Sequence, residues 1–359
     1  MRRKRPLLFI LLIVVLGALV YWQVRAWRRF DWEKFKDGAE GIRYWRVLLA
    51  VALVYVADGL RALRWKIFLR PRRPGTSWLS LIAPQYIGFT GLALLGRPGE
   101  FIRPYLIAKR VNTTMAEQVA IWLVERVFDT AAVVLFFTVA VFTSHSLRDL
   151  ERYEAWRRVG YIAAPLVLLF IFAVWALWAR GASIAAWARR RASRISPAFG
   201  SSVEKRLQSL TAGLHTIKDI SSLLQLTLLS LAIWGLIAVS YRAVTHAFPA
   251  YTDLPSLNFA EVVLLMFVSV AGGVITLPVV GGGSQLATIA VLSQTFGYAD
   301  TPELAVACGM LLWLVTFMSI IPGGLLLAHR EHISLRRLET EAGVEAKSEE
   351  AALPPLPLP

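Results

Sequence analysis

The chain of 359 residues contains one cysteine, Cys308, and five histidines. A lone thiol excludes an internal disulfide framework and a cysteine-based zinc site. The histidines are scattered, so no His-rich metal centre is expected either. Charged residues are also scarce: Asp, Glu, Lys and Arg make up 18 % of the chain, against about a quarter in soluble domains. No Gly-Lys-Ser or Gly-Lys-Thr occurs, so the phosphate loop of nucleotide-driven machines is missing. These shortages argue against a soluble enzyme, a disulfide-stapled secreted domain and an ATP-driven pump, and no metal or cofactor is expected.

What is abundant is apolar surface. Hydrophobic residues make up 56 % of the chain and the mean hydropathy is +0.55, and they cluster in runs long enough to meet a bilayer. Lys and Arg outnumber Asp and Glu by 39 to 24, giving a net charge of +15. In a soluble protein that excess would suggest nucleic acid. In a membrane chain it is the positive-inside bias and attraction to anionic headgroups, and no nucleic-acid partner is expected.

The fold class expected is an all-α polytopic integral membrane protein. The basic start, Met1 to Arg5, precedes an apolar run from Leu7 to Trp22 with no small-x-small cleavage site, which reads as an uncleaved anchor. Residues 23–46 read as interfacial. Further spans are expected over 47–69, 117–143, 159–179, 223–247 and 303–328, with a basic loop over 180–222. The tail 331–359 is polar and then proline-rich, and reads as disordered beyond a transmembrane domain of 1–330. The positive-inside rule puts both termini, 70–75 and 180–222 in the cytoplasm, and the poorly basic 248–259 and 297–302 outside.

Two apolar stretches do not fit as single crossings. Leu79–Leu95 is interrupted by Pro84, Gly88 and Gly91, ends at Gly96, and has basic flanks on both sides. The stretch 261–297 is broken by Gly272, Gly273, Pro278 and Gly281-Gly282-Gly283, and both its flanks belong outside. The consistent solution is a pair of re-entrant hairpins, one from each face, alongside about six full spans, or six to eight membrane segments in all. Broken backbone at depth must be buried in protein or line a wet cavity. Two such segments in corresponding halves point to a transporter's binding site. Ordinary Gly-rich helices packed closely on neighbours are the competing reading.

Charged residues inside apolar runs are functional candidates, since each costs about 3 kcal/mol unless paired. The first group is Arg97, Glu100 and Arg103 around the break Gly96-Arg97-Pro98-Gly99. Guanidinium forks match phosphate, although the same residues could simply anchor the hairpin at the interface. The second is Glu125, Arg126 and Asp129, which share one helix face by their i,i+3 and i,i+4 spacing. They suit an internal charge network with Glu125 left for Arg97 or Arg103, or a static salt bridge. The third is Asp58, Arg61 and Arg64, where Asp58 and Arg61 can pair and Arg64-Trp65 reads as interfacial. In the second hairpin, Pro278, Gly281, Gly282, Gly283 and Gln285 supply flexible backbone and a polar side chain at depth.

Arg61-Ala-Leu-Arg64-Trp65, Gly96-Arg97-Pro98-Gly99-Glu100 with Arg103, Glu125-Arg126 with Asp129, and the late glycine run follow one another in that order. In this the chain resembles the flippase-like transmembrane region of lysylphosphatidylglycerol synthases, including stand-alone relatives without a synthase domain, over roughly residues 5–330. The resemblance implies a bacterial inner-membrane protein that moves an amphipathic, phosphate-bearing lipid between leaflets. It also implies that Arg97, Glu100, Arg103, Glu125, Arg126 and Asp129 line or support the lipid path. The aminoacyl-transfer domain of the synthases is not within these residues, so no enzymatic activity is expected. Gln285 stands where relatives often carry an acid, which weakens a proton-coupled role for that loop. Membrane lipids are the expected partners, with a separate lipid-modifying enzyme and a homo-oligomer as further options. A secondary transporter of a small anionic solute and a non-transporting accessory subunit are the alternative functions.

Overall fold

The computed structural model describes residues 40–331 apart from 151, 215–218, 274–275 and 278–280, together with Glu33. The anchor expected at 7–22, the tail and Pro278 lie outside the described residues. Twelve α-helices are formed among the described residues: α1 Tyr44–Leu69, α2 Ile82–Leu95, α3 Ile102–Val111, α4 Met115–Thr143, α5 His145–Arg148, α6 Tyr153–Ala192, α7 Pro197–Leu214, α8 Ile220–Thr245, α9 Phe259–Gly272, α10 Gly283–Thr295, α11 Pro302–Trp313 and α12 Ile320–Arg330. The protein is therefore an all-α polytopic membrane protein. Among the described residues the one extended feature is a pair of two-residue antiparallel strands, Thr276 opposite Gly282 and Leu277 opposite Gly281.

Among the described residues four helices are long and apolar enough to cross a membrane: Met115–Thr143, Tyr153–Ala173, Ile220–Thr245 and Pro302–Arg330. Their ends carry local start signals. Thr114 caps α4 by accepting from the Glu117 N–H, and Asp219 caps α8 by accepting from Ser222 N at 2.6 Å. The hydrogen bonds from Ser222 hold the Asp219 carboxyl below the usual carboxylate range. The 26 residues of α1 also have the length, about 39 Å. Asp58, Arg61, Arg64 and Lys66 in its second half lower its hydropathy, and three of those four face the protein interior.

Both interrupted stretches fold as two-armed helical hairpins. The arms of the first are 14 and 10 residues and those of the second 14 and 13. At 1.5 Å per residue the longest is about 21 Å, short of a ~30 Å hydrocarbon core. Gly96 turns the first hairpin with φ 70°, and the arms then close tightly. A Cβ on Gly88 would lie 2.4 Å from that of Arg103, and one on Gly99 would lie 2.2 Å from the Gly91 carbonyl oxygen. In the second hairpin a Cβ on Gly272 would meet the Gly283 carbonyl oxygen at 2.3 Å. Only glycine permits these approaches.

The chain runs through one succession twice: a 26-residue helix, a short-armed hairpin, and a 29-residue crossing. The first set is α1, α2–α3 and α4; the second is α8, α9–α10 and α11–α12. The long helices α1 and α8 lie antiparallel along their whole length. Arg43 N donates to Ala247 O at 2.8 Å, Ser240 to Ala50 O at 3.1 Å, Arg64 to Ser230 at 2.8 Å and Arg70 to Gln225 at 3.2 Å. The hairpins are exchanged between the sets. In the first, Thr90 of α2 donates to Ile320 O of α12 at 3.3 Å. In the second, Phe267 of α9 stacks on Phe137 of α4 at 3.8 Å. The second half is thus inverted relative to the first.

Two features depart from the sequence-based expectation. The basic segment expected as a loop over 180–222 is helical through most of its described residues: α6 continues to Ala192 through a bend at Arg180, and α7 folds back on it. Arg180, Arg189, Arg190, Arg191 and Arg194 are exposed while Ala185, Ala192 and Gly200 are buried, so charge lowers hydropathy there without breaking the helix. The last crossing is also not continuous α-helix. Leu314–Met318 form a π-helical turn between α11 and α12, and Tyr55 donates to the Ser319 carbonyl at 2.8 Å just beyond it.

Candidate charge network beneath the first hairpin

Polar side chains from α1, α3, α4 and α8 converge below the first hairpin. Glu125 on α4 lies 2.6 Å from Arg64 of α1, 2.5 Å from Arg103 of α3 and 3.4 Å from its neighbour Arg126. One helical turn on, Asp129 lies 2.7 Å from Arg64, 3.0 Å from Arg126 and 3.9 Å from Arg61. Asp58 lies 3.3 Å from Arg61. The α8 helix closes the set: Arg64 donates to Ser230 at 2.8 Å, and Trp234 donates its indole N–H to Asp129 at 3.1 Å.

Aromatic faces cover the guanidiniums. Arg103 lies 4.6 Å from the Trp65 ring centre and 5.2 Å from that of Phe89, and Arg61 lies 5.2 Å from Phe89 and 5.7 Å from Trp234. Trp65 is itself held by Gln118, which accepts its indole N–H at 3.0 Å. These rings exclude water and favour the cations at the same time. Within the set, four guanidiniums, Arg61, Arg64, Arg103 and Arg126, face three carboxylates. Side-chain exposure is 0 % for Arg64 and Glu125 but 42 % for Arg126. Arg126 is the point at which the network opens.

The second group of sequence candidates, Glu125, Arg126 and Asp129, is brought together as expected. Arg103 joins it, in the partnership expected for Glu125. The third group requires correction. Asp58, Arg61 and Arg64 were expected at the interface, yet all three are buried, and Arg64 is the central link between Glu125 and Asp129. The reason is helix geometry: 58, 61 and 64–65 recur on one face of α1, and that face packs against α4 and α8. Glu100 is half-buried on the 3₁₀ turn Arg97–Phe101, within electrostatic reach of Arg126. The side chain of Arg97 lies outside the described residues. In the second hairpin, Gly281 and Gly282 form the extended pair, Gly282 at φ 140°, while Gly283 starts α10 and Gln285 is half-buried in its first turn. None of the network's ion pairs described above comes from that hairpin.

The family described as the lysylphosphatidylglycerol synthase TM region matches residues 8–324. The chain belongs to that family. The match covers α1 to the middle of α12, so the charge network and both hairpins all lie within the family region. No curated protein and no solved structure matches the chain.

Some participants carry no sequence signal. Ser230 and Trp234 sit in an apolar run, and only the packing of α8 against α1 and α4 makes them network partners. Gln85 on α2 is fully buried, with neither its amide nitrogen nor its amide oxygen hydrogen-bonded. It stands one turn before Phe89 on the same helix. A wholly buried amide without partners is a place where water or a ligand group is accommodated.

Proposed function

We propose that this membrane protein moves a phosphate-bearing lipid between the leaflets of a bacterial inner membrane, with both chain ends cytoplasmic and without covalent chemistry. The observation that carries the reading is the buried network itself. Its guanidiniums outnumber its carboxylates, it lies where two inverted halves meet, and it opens only at Arg126. Arg126 is paired with Asp129 and Glu125 but its side chain is 42 % exposed, so it keeps donors that an anion can reach, and a guanidinium fork suits phosphate oxygens. Inverted halves with broken segments are the architecture in which transporters place a substrate site near mid-membrane. The polar headgroup would pass the open end at Arg126 while the acyl chains stay in lipid.

Arg103 directs its fork at Glu125, so Arg126 rather than Arg103 is the group that meets phosphate. Arg61, Arg64 and Arg103 act as the fixed positive frame around the two carboxylates. If movement is coupled to a proton gradient, Asp58 is the better-placed carrier. It faces one guanidinium, whereas Glu125 and Asp129 each face three.

The test is a proteoliposome assay with fluorescent lipids of varied headgroup. At least one phosphate-bearing lipid should cross faster than in protein-free vesicles. Arg126→Gln, on the exposed rim, should slow it about tenfold, the effect of one charge-assisted hydrogen bond. If no lipid crosses faster than in protein-free vesicles, the reading fails. Unchanged rates in Arg126→Gln would remove Arg126 from the path.

A further inference from the structure

We propose a second, separate anion site, for a phosphate group, at the foot of the first hairpin where α1 ends. A cavity of about 440 Å³ opens there, walled by Arg72, Arg73 and Arg110 with the hydroxyls of Thr76, Ser77 and Ser80. It is an open depression on the surface, and no carboxylate is among its described lining residues.

The arginines are held in place from outside the wall. Arg72 pairs with Glu117 at 2.8 Å, Arg73 donates to the Asn112 carbonyl at 2.5 Å, and Arg110 pairs with Glu331. A guanidinium has five N–H donors, so one anchoring contact fixes its orientation and leaves capacity for a ligand. Three oriented forks and the hydroxyls of Thr76 and Ser77 around one cavity form a donor set for phosphate oxygens, while the Ser80 hydroxyl donates to the Ser77 carbonyl at 2.7 Å. Orientation in the membrane needs basic residues on this loop, but it does not need them to surround a cavity with hydroxyls. Arg110 lies seven residues from Arg103 on the same face of α3, about 10 Å along the axis. The site is therefore at the water boundary, two turns from the buried network.

The chemistry fits a lipid phosphate or a soluble one, and the test separates them. Native mass spectrometry of the full chain in detergent would measure retention of phosphatidic acid against phosphatidylcholine. A second arm would measure displacement by inorganic phosphate. The variant R72Q/R73Q/R110Q should lose about tenfold in phosphatidic acid retention. R190Q/R191Q/R194Q, with equal charge removed from exposed positions elsewhere, should lose little. R72Q/R73Q, which keeps the Arg110–Glu331 pair, should show an intermediate loss, and unchanged melting temperatures would exclude misfolding as the cause. Phosphatidic acid held against competing phosphate indicates a lipid headgroup site. Binding of inorganic phosphate without the lipid indicates a soluble ligand. Equal loss in both triple variants, or binding of neither probe, overturns the proposal. The assay reads no lipid movement, so its result is independent of the transport reading.

Discussion

At the scale of single residues the decisive contrast is between a paired and an unpaired buried charge. Glu125 is wholly enclosed and faces Arg64, Arg103 and Arg126. Glu125→Gln keeps its shape but leaves guanidiniums without a counter-charge, at a cost on the order of 3 kcal/mol. Arg103→Gln leaves the opposite imbalance. The double variant E125Q/R103Q should therefore lose less stability than the two single losses added together. Thermal unfolding in detergent would show this, and strict additivity would mean that the two groups do not couple. That Glu125 meets an arginine of the first hairpin was readable from the sequence, because an acid inside an apolar helix demands a cation and few are available. The place of Arg64 was not. A basic and aromatic pair near the end of a span looks the same whether it faces headgroups or packed helices. Only the neighbours of α1 decide between them, and they come from residues more than 60 positions away.

At the scale of elements, hairpins were legible because glycine and proline interrupt runs that hydropathy alone would make into single spans. The returning arm Ile102–Val111 was harder to see: five of its ten residues are Arg, Pro, Tyr or Lys, which reads as the end of a membrane segment. The helices over 180–214 are hidden for a related reason, since charge density lowers hydropathy whether or not the helix continues. The π-helical turn in the last crossing has no sequence signature. The hairpin's closeness gives a prediction of opposite signs for one substitution. Gly99→Ala places a Cβ against backbone 2.2 Å away that cannot yield, and should cost about 1–3 kcal/mol by overpacking. Gly59→Ala, within α1, meets only the Tyr86 hydroxyl at 3.8 Å, an ordinary contact. It should stabilise the helix by up to about 1 kcal/mol through propensity. Thermal unfolding of both variants would test this. Destabilisation by both in equal measure would show that the tight turn is not a special constraint.

At the scale of the whole molecule, the inverted halves fix which loops share a face of the membrane. Residues after α1 and residues before α4 lie together, since Arg72 pairs with Glu117 and Arg73 reaches Asn112. The first hairpin thus returns to the side from which it started. Because α8 is antiparallel to α1, the loop following α8 must lie on the opposite face. The second hairpin then makes its own return there. This converts into a labelling pattern on a chain whose one cysteine, the buried Cys308, is first replaced by alanine. Cysteines at Ser77 and Ala116 should share one face, and cysteines at Ser256 and Asp300 the other. All four positions are exposed. A membrane-impermeant maleimide applied to intact cells should label the second pair, and the first only after permeabilisation, following the positive-inside bias of Arg70–Arg73. Labelling of Ser77 and Ala116 from opposite sides would mean that the first hairpin crosses the membrane. Labelling of Ser77 and Ser256 from the same side would rule out the inversion, and with it the argument that the network lies between two oppositely oriented halves.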